Sequence, residues 1–291
     1  MNDQAQSLRN LIAHQQESRT SNTRIITVTS GKGGVGKSNF TLNFALTLQA
    51  QGYKVLVFDA DIGLANIDVL MGVSSKYSLY HLLKREKTIW EIIHKGYNDL
   101  EFIAGGSGFN DLIRLSEEEV DYFADQVNQL NGYVDYIIFD TGAGLSKETL
   151  KFIVSANETI VVTTPEPTSI TDAYAIIKMV HSMGLDVKFK LVVNRVTEAR
   201  EGKITADKIS MVAHKFLNLD IPTLGFVEDD SSVSKAVKRQ VPFTIAYPNS
   251  SASRSIHHLV ERFLAGETTP EPSPGAAGVK GFLSKMMKLL K

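Results

Sequence analysis

The chain has 291 residues, a formal net charge of −1, 43% hydrophobic and 22% charged residues, and no cysteine. This length can bury one large core or two small ones; the charge gives no whole-molecule attraction for nucleic acid or membrane, and the composition excludes disulfides, thiolate catalysis and cysteine-ligated iron–sulfur clusters. The N-terminus lacks a basic region followed by an apolar run, and no stretch of ~18 apolar residues occurs, so neither a signal peptide nor a spanning helix is predicted and the expected compartment is the cytoplasm.

Residues 1–23 are polar, with Asp3 placed to cap a short helix carrying Leu8, Leu11 and Ile12 on one side. Such a helix is too short to be stable alone, which leaves a disordered tail or a segment that folds on a partner. An apolar run at 25–29 then reads as a buried strand. Gly31-Lys32-Gly33-Gly34-Val35-Gly36-Lys37-Ser38 follows it, and a helical pattern at 40–48 comes next. Strand, Gly-rich loop and helix are the context of a phosphate-binding P-loop. Glycines let backbone N–H groups converge on phosphate oxygens, and the helix that opens near Asn39 adds partial positive charge. Lys37 is placed to reach the β- and γ-phosphates of ATP, and Ser38 to ligate Mg²⁺. Lys32 is a second lysine in the loop; one suffices for the loop's own nucleotide, and from the residues alone the extra one reads as a solvated loop lysine.

Residues 54–61 read as a buried strand ending in Asp59 and Asp61. Chemistry in open parallel sheets gathers at the carboxyl ends of strands, and a spacing of two points both carboxylates to one side. They can hold Mg²⁺ or orient an attacking water, or merely cap the segment that starts at Ile62. Residues 77–93 read as short core helices, with Trp90 expected in the core. Residues 100–104 form a strand, and 105–108 a Gly-rich loop near the site. A helix over 116–130 opens on an acidic first turn. The strand at 135–140 ends in Asp140, the pattern of a Walker B carboxylate on the Mg²⁺ shell opposite Ser38. Glycines at 142 and 144 permit a switch there.

Further strands are predicted at 158–164, 189–193 and 221–227, with helices over 168–183, from 233 and over 254–264. Asn194 ends a strand beside Arg195 and either reads adenine through its amide or opens an Asx turn. Strands alternating with helices imply a single-domain α/β fold, a mostly parallel sheet covered by helices on both faces. Residues 266–278 read as a flexible linker. Over 279–291, Phe282, Leu283, Met286, Met287, Leu289 and Leu290 fill an arc of roughly 160° and lysines fill the rest. This helix is ~18 Å long, too short to span a bilayer. It reads as an interfacial anchor for anionic membrane; docking on the core or in a protein groove are the alternatives.

The loop from Lys32 to Ser38 resembles the deviant Walker A motif of the MinD/ParA family of dimerising P-loop ATPases. The resemblance covers residues 24–265 and implies that Lys32 reaches across an ATP-dependent homodimer to the partner's nucleotide, acting in catalysis with Lys37 and Asp61. It also implies that Asp61 positions the hydrolytic water, that Asp59 lies on the Mg²⁺ side, that Asn194 and Arg195 contact the base, and that the loop around Val227 and Asp229 packs on it. The absence of cysteine argues against a nitrogenase iron-protein or arsenite-pump role on this fold. Asp3, Gln4, Ala5, Leu8 and Arg9 match the N-terminal motif of the flagellar-number branch, FlhG (YlxH/FleN). That match implies activation of an FlhF-like GTPase, flagellar C-ring components as partners, and control of flagellar number and placement. Division-site regulation of MinD type is a rival. A ParA-like DNA-partition role is another, disfavoured because no basic cluster stands out on the domain and no specific nucleic acid is expected.

Overall fold

The computed structural model describes residues 23–61, 66–105, 117–266 and 278–288. Its strands are β1 (Arg24–Ser30), β2 (Val55–Ala60), β3 (Ile93–Lys95), β4 (Glu101–Ile103), β5 (Tyr136–Ala143), β6 (Glu158–Thr163), β7 (Phe189–Val196) and β8 (Thr223–Glu228). They form one sheet in the order β3-β4-β2-β5-β1-β6-β7-β8. All pairings are parallel except β3 with β4. Apart from Arg24 at the start of β1, strands β1, β2 and β6 are unbroken runs of buried residues, as parallel strands covered on both faces must be.

One face carries α1 (Lys37–Ala50), α2 (Ile67–Met71), α8 (Ser231–Lys238), α9 (Phe243–Ala246) and α10 (Ser251–Ala265), gathered around Phe40, Phe44, Ile138, Ile256 and Phe263. The other carries α3 (Leu79–Leu83), α4 (Glu117–Asn128), α5 (Lys147–Ser155) and α11 (Gly278–Lys288) over Phe58, Ile137 and Phe139. Farther along that face, α6 (Pro167–Ser182) and α7 (Ala199–Leu217) cover β6 and β7. The parallel architecture brings the carboxyl ends of β1, β2, β5 and β7 to one edge, where a ligand crevice is expected.

Local signals account for several helix starts. Ser146 caps α5 by accepting from Thr149 N, and Pro167 begins α6 at a position where its missing N–H costs nothing. Asp230 accepts from Ser232 N at the start of α8, and also from Ser251 N and Oγ at the start of α10. These bonds hold its carboxyl below the usual carboxylate range despite the opposing effect of burial.

Three expectations change and one helix is new. Trp90 is 43% exposed, not in the core, with its indole N–H on Gln129 and its ring edge-on to Tyr133. Residues 93–95 form an antiparallel edge strand, because β4 offers three partners that a helix could not use. Helix α7 is an element that no sequence expectation covered; its buried face is Gly202, Thr205, Ala206, Ile209 and Ala213. Finally, the amphipathic C-terminal helix is not free: Val279, Phe282, Leu283 and Met286 are buried against the core, and Phe282 stacks on Phe139 at 4.9 Å. The interfacial reading of 279–291 therefore requires undocking. Met287 is partly covered, and Leu290 lies outside the described residues.

The first loop glycine also has a packing role. A Cβ on Gly31 would stand 2.2 Å from the backbone carbon of Asp172 in α6. Backbone cannot give way as a side chain can, so Gly31→Ala should lower stability by about 3 kcal/mol or more. A denaturant titration of the folded chain checks this; a loss under about 1 kcal/mol would mean that α6 is free to shift.

Candidate nucleotide site

The carboxyl ends of β1, β2 and β5 surround a cavity of about 670 Å³. Gly33, Gly34, Gly36, Lys37, Ser38 and Asn39 line one side; Asp61, Asn66 and Leu70 line a second; Gly142, Ser146, Glu148, Thr149 and Arg195 complete it. Gly34 and Gly36 have φ of 80° and 92°, a region that disfavours other residues. No side chain caps α1, so its first N–H groups remain available for an anion.

Lys37 is 6% exposed and bonds Asp140 Oδ1 at 2.9 Å and Ser38 Oγ at 3.3 Å. The Thr41 hydroxyl, one helical turn along, donates to the same Asp140 oxygen at 2.7 Å. Asp140 Oδ2 is buried and has no hydrogen-bond partner among the described residues. An orphaned buried carboxylate oxygen is costly; together with the Ser38 hydroxyl on the wall it makes a hard-oxygen pair that fits Mg²⁺.

Asp59 and Asp61 do not share one task. Asp59 is buried and accepts from the backbone N–H groups of Asp61, Asn66 and Ile67, so it ties the end of β2 to the start of α2. Burial, then the nearby Asp140 charge, pushes its carboxyl up to about 7. Asp61 lines the cavity and lies against Gly142. Burial raises its carboxyl as well, with Lys37 pulling the other way. A carboxyl whose folded pKa exceeds its unfolded value binds more protons in the folded state. Asp59 therefore makes ligand-free stability fall as pH rises from about 4 to about 7. Melting temperature without nucleotide should be higher at pH 6 than at pH 8, and Mg²⁺ with nucleotide should flatten that slope. A rising melting temperature between the two pH values would contradict the assignment.

Several predicted site residues stand away from the cavity wall. The Lys32 ammonium lies on Glu166 at 2.8 Å and Thr168 at 3.0 Å, beside the site rather than in it. The Asn194 amide nitrogen donates to Val35 O at 2.7 Å and so pins the loop, an occupation that the base-reading expectation did not include. Val227 is packed in the core and Asp229 is exposed, and neither lines the cavity. Asp3, Gln4, Ala5, Leu8 and Arg9 lie outside the described residues. Sequence reasoning overlooked Thr41, Ser146, Glu148 and Thr149. The spacing of Thr41 four residues after Lys37 would have placed it on the same helix face.

Comparison with known proteins agrees with this geometry. The model of the CobQ/CobB/MinD/ParA nucleotide-binding domain matches residues 26–243. The flagellum site-determining protein YlxH of Helicobacter pylori is 38% identical, covering 100% of each chain. The antiactivator FleN of Pseudomonas aeruginosa is 30% identical over 91% of this chain and 94% of its own. Among solved structures, the septum site-determining protein MinD of Pyrococcus horikoshii, complexed with Mg-ADP, superposes with a TM-score of 0.69 at 25% identity, covering 85% of this chain and 99% of that one. A P-loop backed by Lys37, Asp140 and Asp61 at the carboxyl edge of a parallel sheet, and a family match across most of the chain, make this protein a member of the CobQ/CobB/MinD/ParA nucleotide-binding family, an ATPase of MinD type.

Proposed function

We propose that this ATPase regulates flagellar number and placement as an ATP-dependent homodimer that binds the cytoplasmic face of the membrane. The position of Lys32 carries the dimer reading. It does not line its own cavity, it is 40% exposed, and it is held at the rim by Glu166 and Thr168. A cation so placed is suited to a nucleotide bound by a second copy. Leu145 and Val69 support the same face: each adjoins a cavity-lining residue in the chain and is exposed, by 42% and 54%. Within one subunit the cavity takes the ATP phosphates on the glycine loop and Lys37, with Ser38 and Asp140 as the residues that would hold Mg²⁺, and with Asp61 orienting water. Such chemistry needs positioning and charge stabilisation only. Arg195 lines the cavity and is assigned to the nucleotide, while Asn194, next to it in the chain, holds the loop through Val35 O.

The flagellar assignment rests on the full-length likeness to YlxH and FleN and on the motif at Asp3, Gln4, Ala5, Leu8 and Arg9, which would activate an FlhF-like GTPase; C-ring components are the further partners. Helix α11 is the membrane element. Its exposed Lys280, Lys285 and Lys288 suit anionic lipid, while its apolar face is released on dimerisation. Two helices on one dimer gain about 10²–10⁴ in avidity over one.

Co-sedimentation with anionic vesicles tests the reading. The full chain should pellet with ATP and not with ADP. Lys32→Ala should abolish the ATP effect. Met287→Glu with Leu290→Glu should abolish pelleting, because it spoils insertion yet spares the most buried docking residues. Equal pelleting in both nucleotides would make α11 a constitutive anchor and remove Lys32 from the switch.

A further inference from the structure

We infer that Thr41 is the positioning residue of the Asp140 carboxylate: its hydroxyl holds Oδ1 in place once Lys37 is drawn to the phosphates, and so reserves Oδ2 for Mg²⁺. This rests on the reading of Ser38 and Asp140 as the residues that would hold Mg²⁺. Thr41 lies outside the glycine loop and does not line the cavity. It stands one helical turn after Lys37 in α1 and is fully buried, as is Asp140.

The two oxygens of Asp140 are used unequally. Oδ1 accepts from the Thr41 hydroxyl at 2.7 Å and from the Lys37 ammonium at 2.9 Å, whereas Oδ2 is buried with no partner among the described residues. The backbone of Asp140 is fixed, because β5 pairs there with Val28 of β1 on one side and with Asp59 of β2 on the other. What remains soft is the terminal torsion of the side chain. The bonds to Oδ1 therefore decide which oxygen is left for a ligand.

The two donors differ in permanence. Lys37 sits on a flexible four-carbon stem and already shares its ammonium with Ser38 Oγ at 3.3 Å. It is also the group assigned to the β- and γ-phosphates, so a bound nucleotide competes with Asp140 for it. Thr41 meets no such competition from the ligand. Its hydroxyl also lies 3.1 Å from Lys37 O, but it carries a single proton. The charged acceptor at the shorter distance takes that proton. Branching at Cβ restricts the Thr41 side chain to few rotamers in a helix, so the donor stays aimed when the lysine leaves. Without it, nothing among the described residues distinguishes Oδ1 from Oδ2 in the loaded site.

Titrations of the full chain with a fluorescent, non-hydrolysable ATP analogue, with Mg²⁺ varied and with Mg²⁺ removed by a chelator, test the assignment. Thr41→Val keeps the shape and drops the hydroxyl. The Mg²⁺ concentration that gives half of the gain in nucleotide affinity should rise about 10–100-fold in it, the usual worth of a group that orients a metal ligand. Affinity in chelator should match wild type, and Thr41→Ser, which keeps the hydroxyl, should restore the Mg²⁺ response. If Thr41→Val does not fold, Thr41→Ala, with less bulk against the carboxylate, carries the same expectation. A wild-type Mg²⁺ response in a folded variant without the hydroxyl overturns the assignment. So does an equal loss of affinity with and without Mg²⁺, which would make Thr41 a support of the glycine loop alone. Asp140→Asn separates the two readings. If it weakens the Mg²⁺ response and Thr41→Val does not, only the role of Thr41 falls; if Asp140→Asn leaves the response intact, the Mg²⁺ reading of Asp140 falls and takes the role of Thr41 with it.

Discussion

Replacing Asp61 with alanine should slow ATP hydrolysis by about 10²–10⁴, the usual worth of a positioned acid–base group, while nucleotide affinity stays within a few-fold of wild type. The carboxylate lines the cavity but takes no part in the Lys37–Asp140 pair beneath the glycine loop. Its loss should therefore leave the phosphate cradle intact. Burial raises the Asp61 carboxyl above its ordinary range, which improves it as an acceptor for a proton from water. Single-turnover hydrolysis and an equilibrium titration with ATP, run side by side, separate the two effects. A rate within threefold of wild type would show that Asp61 does not orient the water. The variant should also remain on vesicles in ATP, since hydrolysis is the proposed release step.

Replacing Lys37 with alanine should affect binding, turnover and stability together. Its ammonium is buried and pairs with Asp140 at 2.9 Å, and Asp59 lies close enough for the Asp140 charge to raise its carboxyl. Removing the only cation in this cluster among the described residues leaves two buried carboxylates facing each other. Breaking a buried pair by deleting one partner costs about 3–5 kcal/mol. Proton uptake by Asp59, whose carboxyl burial pushes up to about 7, offsets part of that cost at low pH, so the drop in melting temperature should be larger at pH 8 than at pH 6. ATP turnover should fall by about 10³ or more, because the charge on the β- and γ-phosphates loses its main protein counterpart. An unchanged melting temperature at pH 8 would show that the Lys37–Asp140 pair contributes nothing to ligand-free stability.

The two variants probe opposite halves of the site, and those halves were unequally legible in the sequence. The glycine loop, Lys37, Ser38 and the two strand-terminal aspartates are local patterns, each readable within about ten residues. Asp59 is the exception among them. Its sequence position matches that of a metal-side carboxylate, yet its oxygens are used by the backbone of residues 61, 66 and 67. Helix α5 escaped notice because it is short and follows a Gly-rich segment, and α7 because its buried face is built from small residues.

By itself, the sequence determined the chemistry and the class of fold. Apolar runs alternating with helical segments dictate a covered parallel sheet, and a strand–loop–helix with this glycine and lysine spacing dictates a phosphate cradle. Tertiary structure decided which groups meet. Lys32 finds Glu166 across 134 residues of chain, Lys37 finds Asp140 across 103, and Asn194 reaches the loop across 159. It also decided the state of the C-terminal helix. Amphipathicity states only that one face needs cover, and lipid or core can both supply it. A two-ring seat, Phe139 of β5 and Phe152 of α5 under Phe282, is what makes the core the cover here, and no periodicity within residues 279–291 encodes the presence of that seat.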